Sequence, residues 1–211
     1  MIERFLLGGA AAGVSVLLLM ACTQEAPRCR MVGGAGSDRW LMIGNSLLHD
    51  HDWSDLDGPV QNCAVRGQTA SAARRRALPH AEEDPTHVLL AFGTVEAVRA
   101  VRDTPFDPEG FAADVTALAR RVSGAWPGAC LLVATPPPAS PSAADQDALG
   151  QAEVVLRALE PAVLIDTSGA LRHVPVPTYD GVHLTGEAYA SWSVAVSDAA
   201  ARRCSPRRVR S

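Results

Sequence analysis

The 211-residue chain contains no lysine, and all 19 of its basic side chains are arginine. That bias matches a GC-rich coding sequence and carries no function by itself. Against 23 acidic residues the arginines leave a formal net charge of −4, so no global basic field invites a nucleic acid. No Cys-x-x-Cys pair occurs among the five cysteines, which weakens zinc-ribbon and thioredoxin-type readings. No internal repeat is visible, and nothing marks a second domain. What remains is 47% hydrophobic, a globular composition with enough chain for one domain and a real core.

The first residues read as targeting rather than fold. Arg4 supplies a positive charge and the run from Phe5 to Ala21 carries none. It ends in Leu19-Met20-Ala21-Cys22, a secretory pattern with a short charged start and an apolar middle. An uncleaved anchor is the other reading, since 17 apolar residues can just span a bilayer. Both place the domain outside the cytoplasm, in a compartment that permits disulfides among Cys29, Cys63, Cys130 and Cys204. The expected division is a leader over 1–21, a Gly-rich tether over 22–37, one domain over 38–204 and a basic tail over 205–211.

Within the domain, apolar runs alternate with amphipathic ones. Trp40–Ile43, Val60–Val65, Thr86–Phe92, Ala129–Ala134 and Val163–Ile165 read as buried strands. Thr69 caps a short helix that Pro79 follows. Asp107-Pro108 opens a longer one with Phe111, Val115, Leu118 and Val122 on one stripe. Ser142, with Asp145 three residues on, opens a helix lined by Leu149, Ala152, Leu156 and Leu159. Thr185 caps the last, lined by Leu184, Ala188, Trp192 and Val196. Alternation of this kind predicts an α/β fold with a parallel sheet covered on both faces.

Chemistry concentrates at two places. Gly44-Asn45-Ser46 puts a hydroxyl just past the end of the first strand, where open α/β sheets build their sites. Asn45 and Ser46 are equally good helix caps, so this stretch alone also reads as a cap. Asp180-x-x-His183 supplies an imidazole that can take a proton from a hydroxyl and a carboxylate that can fix its tautomer. The run His49-Asp50-His51-Asp52 could suggest a metal. Its spacing does not converge in a helix, so a solvated loop beside the cleft is expected and no metal.

Taken in order, Gly44-Asn45-Ser46, Asn62 to Gly67, Gly93-Thr94 and Asp180-Gly181-Val182-His183-Leu184-Thr185 resemble the blocks of the SGNH (GDSL-type) hydrolases, across nearly the whole domain. Pro136 and Pro137 after the fourth strand also look like the family. The resemblance implies a flavodoxin-like three-layer sandwich with a five-stranded parallel sheet of order 2-1-3-4-5. It implies Ser46 as nucleophile, His183 as base, Asp180 as its orienter, and the Ser46 and Gly67 amides as oxyanion donors. Two departures stand out. Asn45 occupies the usual Asp, and Val95 stands where the family usually carries an oxyanion-binding Asn. The leader's end is similar to a bacterial lipobox, which implies cleavage before Cys22 and lipid on that residue.

Together these readings predict an extracytoplasmic, membrane-tethered serine esterase without cofactor, a monomer whose substrate is a small-molecule or glycan ester. A small acyl group on a glycan and a lysolipid both fit. A non-catalytic binding module with an incomplete oxyanion hole is the alternative, and an accidental triad in an envelope scaffold is the third reading. With strand order 2-1-3-4-5, Cys29 lies below the first strand and the last helix runs down to the same end. A Cys29–Cys204 disulfide is therefore expected. Cys63 and Cys130, three strands and roughly 14 Å apart, are expected to be free and buried.

Overall fold

Residues 41 and 43 of the first long strand face one way and residues 40 and 42 the other, and both sets are buried. The computed structural model describes residues 27–160 and 162–204. The leader, Cys22 and the basic tail therefore lie outside the described residues.

The strands are β1 (Arg30–Val32), β2 (Trp40–Gly44), β3 (Val60–Asn62), β4 (His87–Ala91), β5 (Cys130–Ala134) and β6 (Val163–Ile165). They form one sheet of order β1-β3-β2-β4-β5-β6. β2 to β6 are parallel, and their order is the expected 2-1-3-4-5. The helices are α1 (Ser46–His49), α2 (Ala70–Arg75), α3 (Thr94–Arg102), α4 (Pro108–Ala125), α5 (Gln146–Arg157), α6 (Thr167–Leu171) and α7 (Gly186–Arg203).

The strands' period of two sorts their side chains into two cores. Met42, Leu89, Leu132 and Ile165 pack with Leu171, Leu184, Trp192 and Val196 beneath α6 and α7. Leu41, Ile43, Val88, Leu90, Leu131 and Val133 pack with Phe111, Val115, Leu118, Val122 and Leu156 beneath α4 and α5. Burial on both faces is why these strands read as unbroken apolar runs rather than alternating ones. The helices start where their caps place them. Asp107, Asp145 and Thr185 accept from the amides of Gly110, Ala148 and Ala188. α5 thus begins after Asp145, and the expected start at Ser142 is a turn.

Two expectations are corrected. The tether predicted through residue 37 already belongs to the sheet at β1, which pairs antiparallel with β3 in the register Arg30↔Asn62. That register sets Cys29 opposite Cys63, and these two form a disulfide with Cα atoms 4.2 Å apart. The predicted Cys29–Cys204 bond is therefore absent. α7 does descend to the lower end of the sheet, but it arrives beneath β5, and Cys204 bonds Cys130 with Cα atoms 5.5 Å apart. Cys63 and Cys130 do not pair with each other, and neither is a free thiol. The expectation failed because the fold was laid out without the antiparallel edge strand, whose three residues carry no strong pattern.

Candidate active site

β2 ends in Gly44 because nothing larger fits. A Cβ there would stand 2.6 Å from the Ala91 carbonyl oxygen and 2.9 Å from Leu48 Cδ1. The chain then turns into α1, and Asn45 caps it by accepting from the Leu47 amide at 3.1 Å. Ser46 is the first residue of that helix. Asn45 is the cap, and the adjacent Ser46 places its hydroxyl just past the end of β2. So short a helix has little stability of its own. It is fixed through the Leu48 carbonyl, which accepts from the buried Trp53 indole at 3.0 Å and from Asn62 Nδ2 at 2.7 Å.

The second half of the site hangs on a loop pinched by a bridge between Thr178 and Leu184. The Tyr179 amide donates to the His183 carbonyl at 3.0 Å, and the Gly181 carbonyl accepts from the Ser140 amide at 2.7 Å. Gly181 sits at φ +89°, a conformation that favours glycine. Inside this frame the Asp180 carboxylate is fully used. Its Oδ1 accepts from the Val182 amide at 2.9 Å and the His183 amide at 2.7 Å. Its Oδ2 meets His183 Nδ1 at 2.7 Å, and His183 Nε2 lies 3.0 Å from Ser46 Oγ. Residues 137 apart in the chain thus form one relay.

Burial alone would raise the Asp180 carboxyl. The His183 ring, the His183 and Val182 amides and the imidazole charge outweigh it and hold the pKa at about 2. With Asp180 ionised, the Nδ1 proton is directed to it, and Nε2 is left free to accept from the Ser46 hydroxyl. This arrangement can generate an alkoxide-like nucleophile.

A cavity of about 610 Å³ opens over the relay. Ser46, Gly67, Thr94, Val95, Tyr179 and His183 are among the residues that line it. Gly67 holds φ +68° with no atom within 4 Å of a would-be Cβ, so its backbone conformation rather than space calls for glycine. Val95 faces the same cavity and brings no hydrogen-bond donor. Thr94 is buried beside it.

Sequence reasoning missed what joins the two donor loops. Glu96 Oε2 accepts from the Gly93 amide at 2.9 Å, and its Oε1 accepts from the Ala70 amide at 2.7 Å. One carboxylate therefore ties the Gly93 turn to the start of α2, just past Gly67. Burial raises its pKa, and the Ala70 and Gly93 amides work against that rise. A Glu three residues after a strand-ending Gly has the spacing of a capping box and could have announced both the contact and α3.

The His49–Asp52 run divides rather than converging. Asp50 accepts from Arg66 Nε and meets His49 Nδ1, both at 2.7 Å. Burial would raise the Asp50 carboxyl, but these partners hold it below its ordinary value. His51 turns inward instead. It stacks on Tyr189 with centroids 4.4 Å apart and reaches Ser193 Oγ at 2.8 Å, where burial lowers its pKa.

At the level of sequence, no family model and no curated protein matches the chain. Solved structures do. A structure described as a GDSL-like lipase from Parabacteroides merdae superposes with TM-score 0.65 at 13% identity, covering 81% of this chain and 98% of that one. The lipase/acylhydrolase from Enterococcus faecalis gives 0.62 at 16%, covering 78% and 95%. The chain shares the α/β fold of these structures. The acetylxylan esterase Axe2 from Geobacillus stearothermophilus is a further similar structure, with TM-score 0.57 at 17% identity, covering 84% and 98%. Identities this low establish the shared fold alone, and the chemistry has to be argued from the side chains above.

Proposed function

We propose that this SGNH-fold protein is a serine esterase acting through an acyl-enzyme. The observation that carries the reading is the relay from Ser46 through His183 to Asp180, with contacts of 3.0 and 2.7 Å at the floor of an open cavity. Ser46 Oγ attacks the ester carbonyl while His183 Nε2 takes its proton. The Ser46 and Gly67 amides donate to the oxygen that becomes negative. His183 returns the proton to the departing alcohol, and water repeats the sequence on the acyl-enzyme. Asp180 holds the ring and stabilises its charged form throughout. A cavity this open suits a small acyl group on a glycan or a lysolipid, and the similarity to an acetylxylan esterase favours the first.

If the relay is one unit, Ser46→Ala, His183→Ala and the double variant lose similar amounts of kcat. Losses that multiply would contradict the assignment. Val95 supports a second reading, a binding module whose oxyanion hole is too poor to turn over substrate. Slow, Ser46-dependent release of alcohol from an aryl acetate would exclude it.

The leader pattern supports an extracytoplasmic location with lipid on Cys22, and two disulfides fit an oxidising compartment. Palmitate labelling of the full-length protein should disappear in Cys22→Ala. Labelling that persists would refute the lipid site.

A further inference from the structure

One wall of the cavity is a single face of α3. Val95, Val98, Arg99 and Arg102 all line it, at the i, i+3, i+4 and i+7 spacing that keeps side chains on one side of a helix. At 1.5 Å per residue, Arg99 lies about 6 Å and Arg102 about 10 Å along the helix axis from Val95, the position nearest the oxyanion donors. The wall therefore carries two apolar and two cationic side chains on one helix face, with the Arg99 guanidinium reaching back toward Gly67.

Two of the other charges lining the cavity are paired. Arg66 is bound to Asp50, and Asp180 is bound to His183. Asp103, the residue that ends α3, also lines the cavity. Among the described residues neither Arg99 nor Arg102 has a carboxylate within ion-pair distance. Arg99 Nη2 donates to the Gly67 carbonyl at 3.4 Å, which sets its guanidinium beside the donor loop, and its charge also acts on the Glu96 carboxylate one turn back. Favourable interaction with the helix dipole explains cations in the last turn of α3; Arg102 lines this cavity, and Arg99 lines both it and the neighbouring groove that holds Glu96, Asp107 and Asp114.

We propose that Arg99 and Arg102 form an anion-recognition subsite, so that the preferred ester carries a carboxylate or phosphate group one to two helical turns from the carbonyl that Ser46 attacks. This rests on the esterase reading for the word ester, but the anion site itself does not. The fork of a guanidinium suits either oxyanion, and two such forks on adjacent turns can hold one group between them. Val95 and Val98 would then pack against the linker joining that group to the ester.

The test compares phenyl acetate with its 3-carboxy and 3-phosphonooxy derivatives, which separate the two anion chemistries. The ratio of charged to neutral kcat/KM in the wild type should be about tenfold at low salt, the size of one charge-assisted contact, and should shrink as salt screens it. In R99Q/R102Q the ratio should fall to near one, and in D103N it should rise. The same ligands titrated calorimetrically into Ser46→Ala report binding without turnover. Equal affinity for charged and neutral ligands overturns the anion site, as does a preference that survives R99Q/R102Q. Charge-dependent binding that R99Q/R102Q abolishes, in a protein that hydrolyses none of the three, supports the anion site and overturns the esterase reading instead.

Discussion

Replacing Val95 with Asn tests how the site handles developing charge. Val95 is the second residue of α3, half-buried, and lines the same cavity as Ser46 and Gly67. An Asn there would present a side-chain N–H₂ where the present side chain offers only methyl groups. The change should cost the fold little, because the position lies in the first helical turn and keeps its backbone role. Preorganised donors at an oxyanion are each worth about 10²–10³ in kcat, or ~3–4 kcal/mol. The added amide would have no partner to orient it, since Val98 one turn further on is apolar, so a gain of up to about 10² is expected. It should appear in kcat with little change in KM, as the new bond forms mainly in the transition state. The assay is steady-state hydrolysis of p-nitrophenyl acetate by wild type and Val95→Asn at matched, fully folded concentrations. A wild type that is already fast, and is slowed by the substitution, would refute the reasoning. Thr94 would then be the group that completes the hole, because it lines the cavity beside Val95. Gln68 is the weaker candidate. It is buried, and its side-chain oxygen has no partner.

Glu96→Ala should strip the acceptor from two amides and destabilise the fold by about 2–4 kcal/mol, with Glu96→Gln intermediate; unchanged urea midpoints would contradict that role. Non-reducing peptide mapping should recover Cys29–Cys63 and Cys130–Cys204 linkages, and Cys130→Ser should cost up to about 4 kcal/mol through the long loop that bond closes. A Cys29–Cys204 peptide would overturn the pairing. Asp180 titrates at about 2 in the fold against an ordinary 3.8, so its stabilisation is complete above the ordinary value and fades as pH falls toward the lower one. The stability gap between wild type and Asp180→Asn should therefore close across that interval. A gap that stays constant down to pH 2 would refute the contact.

The five parallel strands were legible because burial on both faces turns each into an apolar run, and the resemblance supplied their order. Asp107-Pro108 and Thr185 announced their helices through capping chemistry that acts locally. β1 was not legible. Arg30-Met31-Val32 is short, largely exposed and followed at once by Gly33 and Gly34, and only its pairing with β3 makes it a strand. The disulfide error followed directly from that omission. α3, Thr94 to Arg102, was not anticipated: it packs on α5 through small residues, Ala97 against Ala148 and Leu149, while Val95, Val98, Arg99 and Arg102 border a cavity. The site shows the same division. Ser46, Asp180 and His183 could be named from residue type and position. Glu96 carried a capping-box spacing that announces its bond to Gly93 but not the one to Ala70, and Arg99 and Arg102 could not be named, since their importance lies in which cavity the fold turns them toward.

The central claim is that His183 makes Ser46 a nucleophile. The most direct measurement is intact-mass and peptide analysis after a fluorophosphonate probe. The account predicts one adduct, on Ser46, absent in Ser46→Ala and formed at least about 10²-fold more slowly in His183→Ala. No adduct on the folded wild type, or labelling at Ser46 that is indifferent to His183, would contradict it.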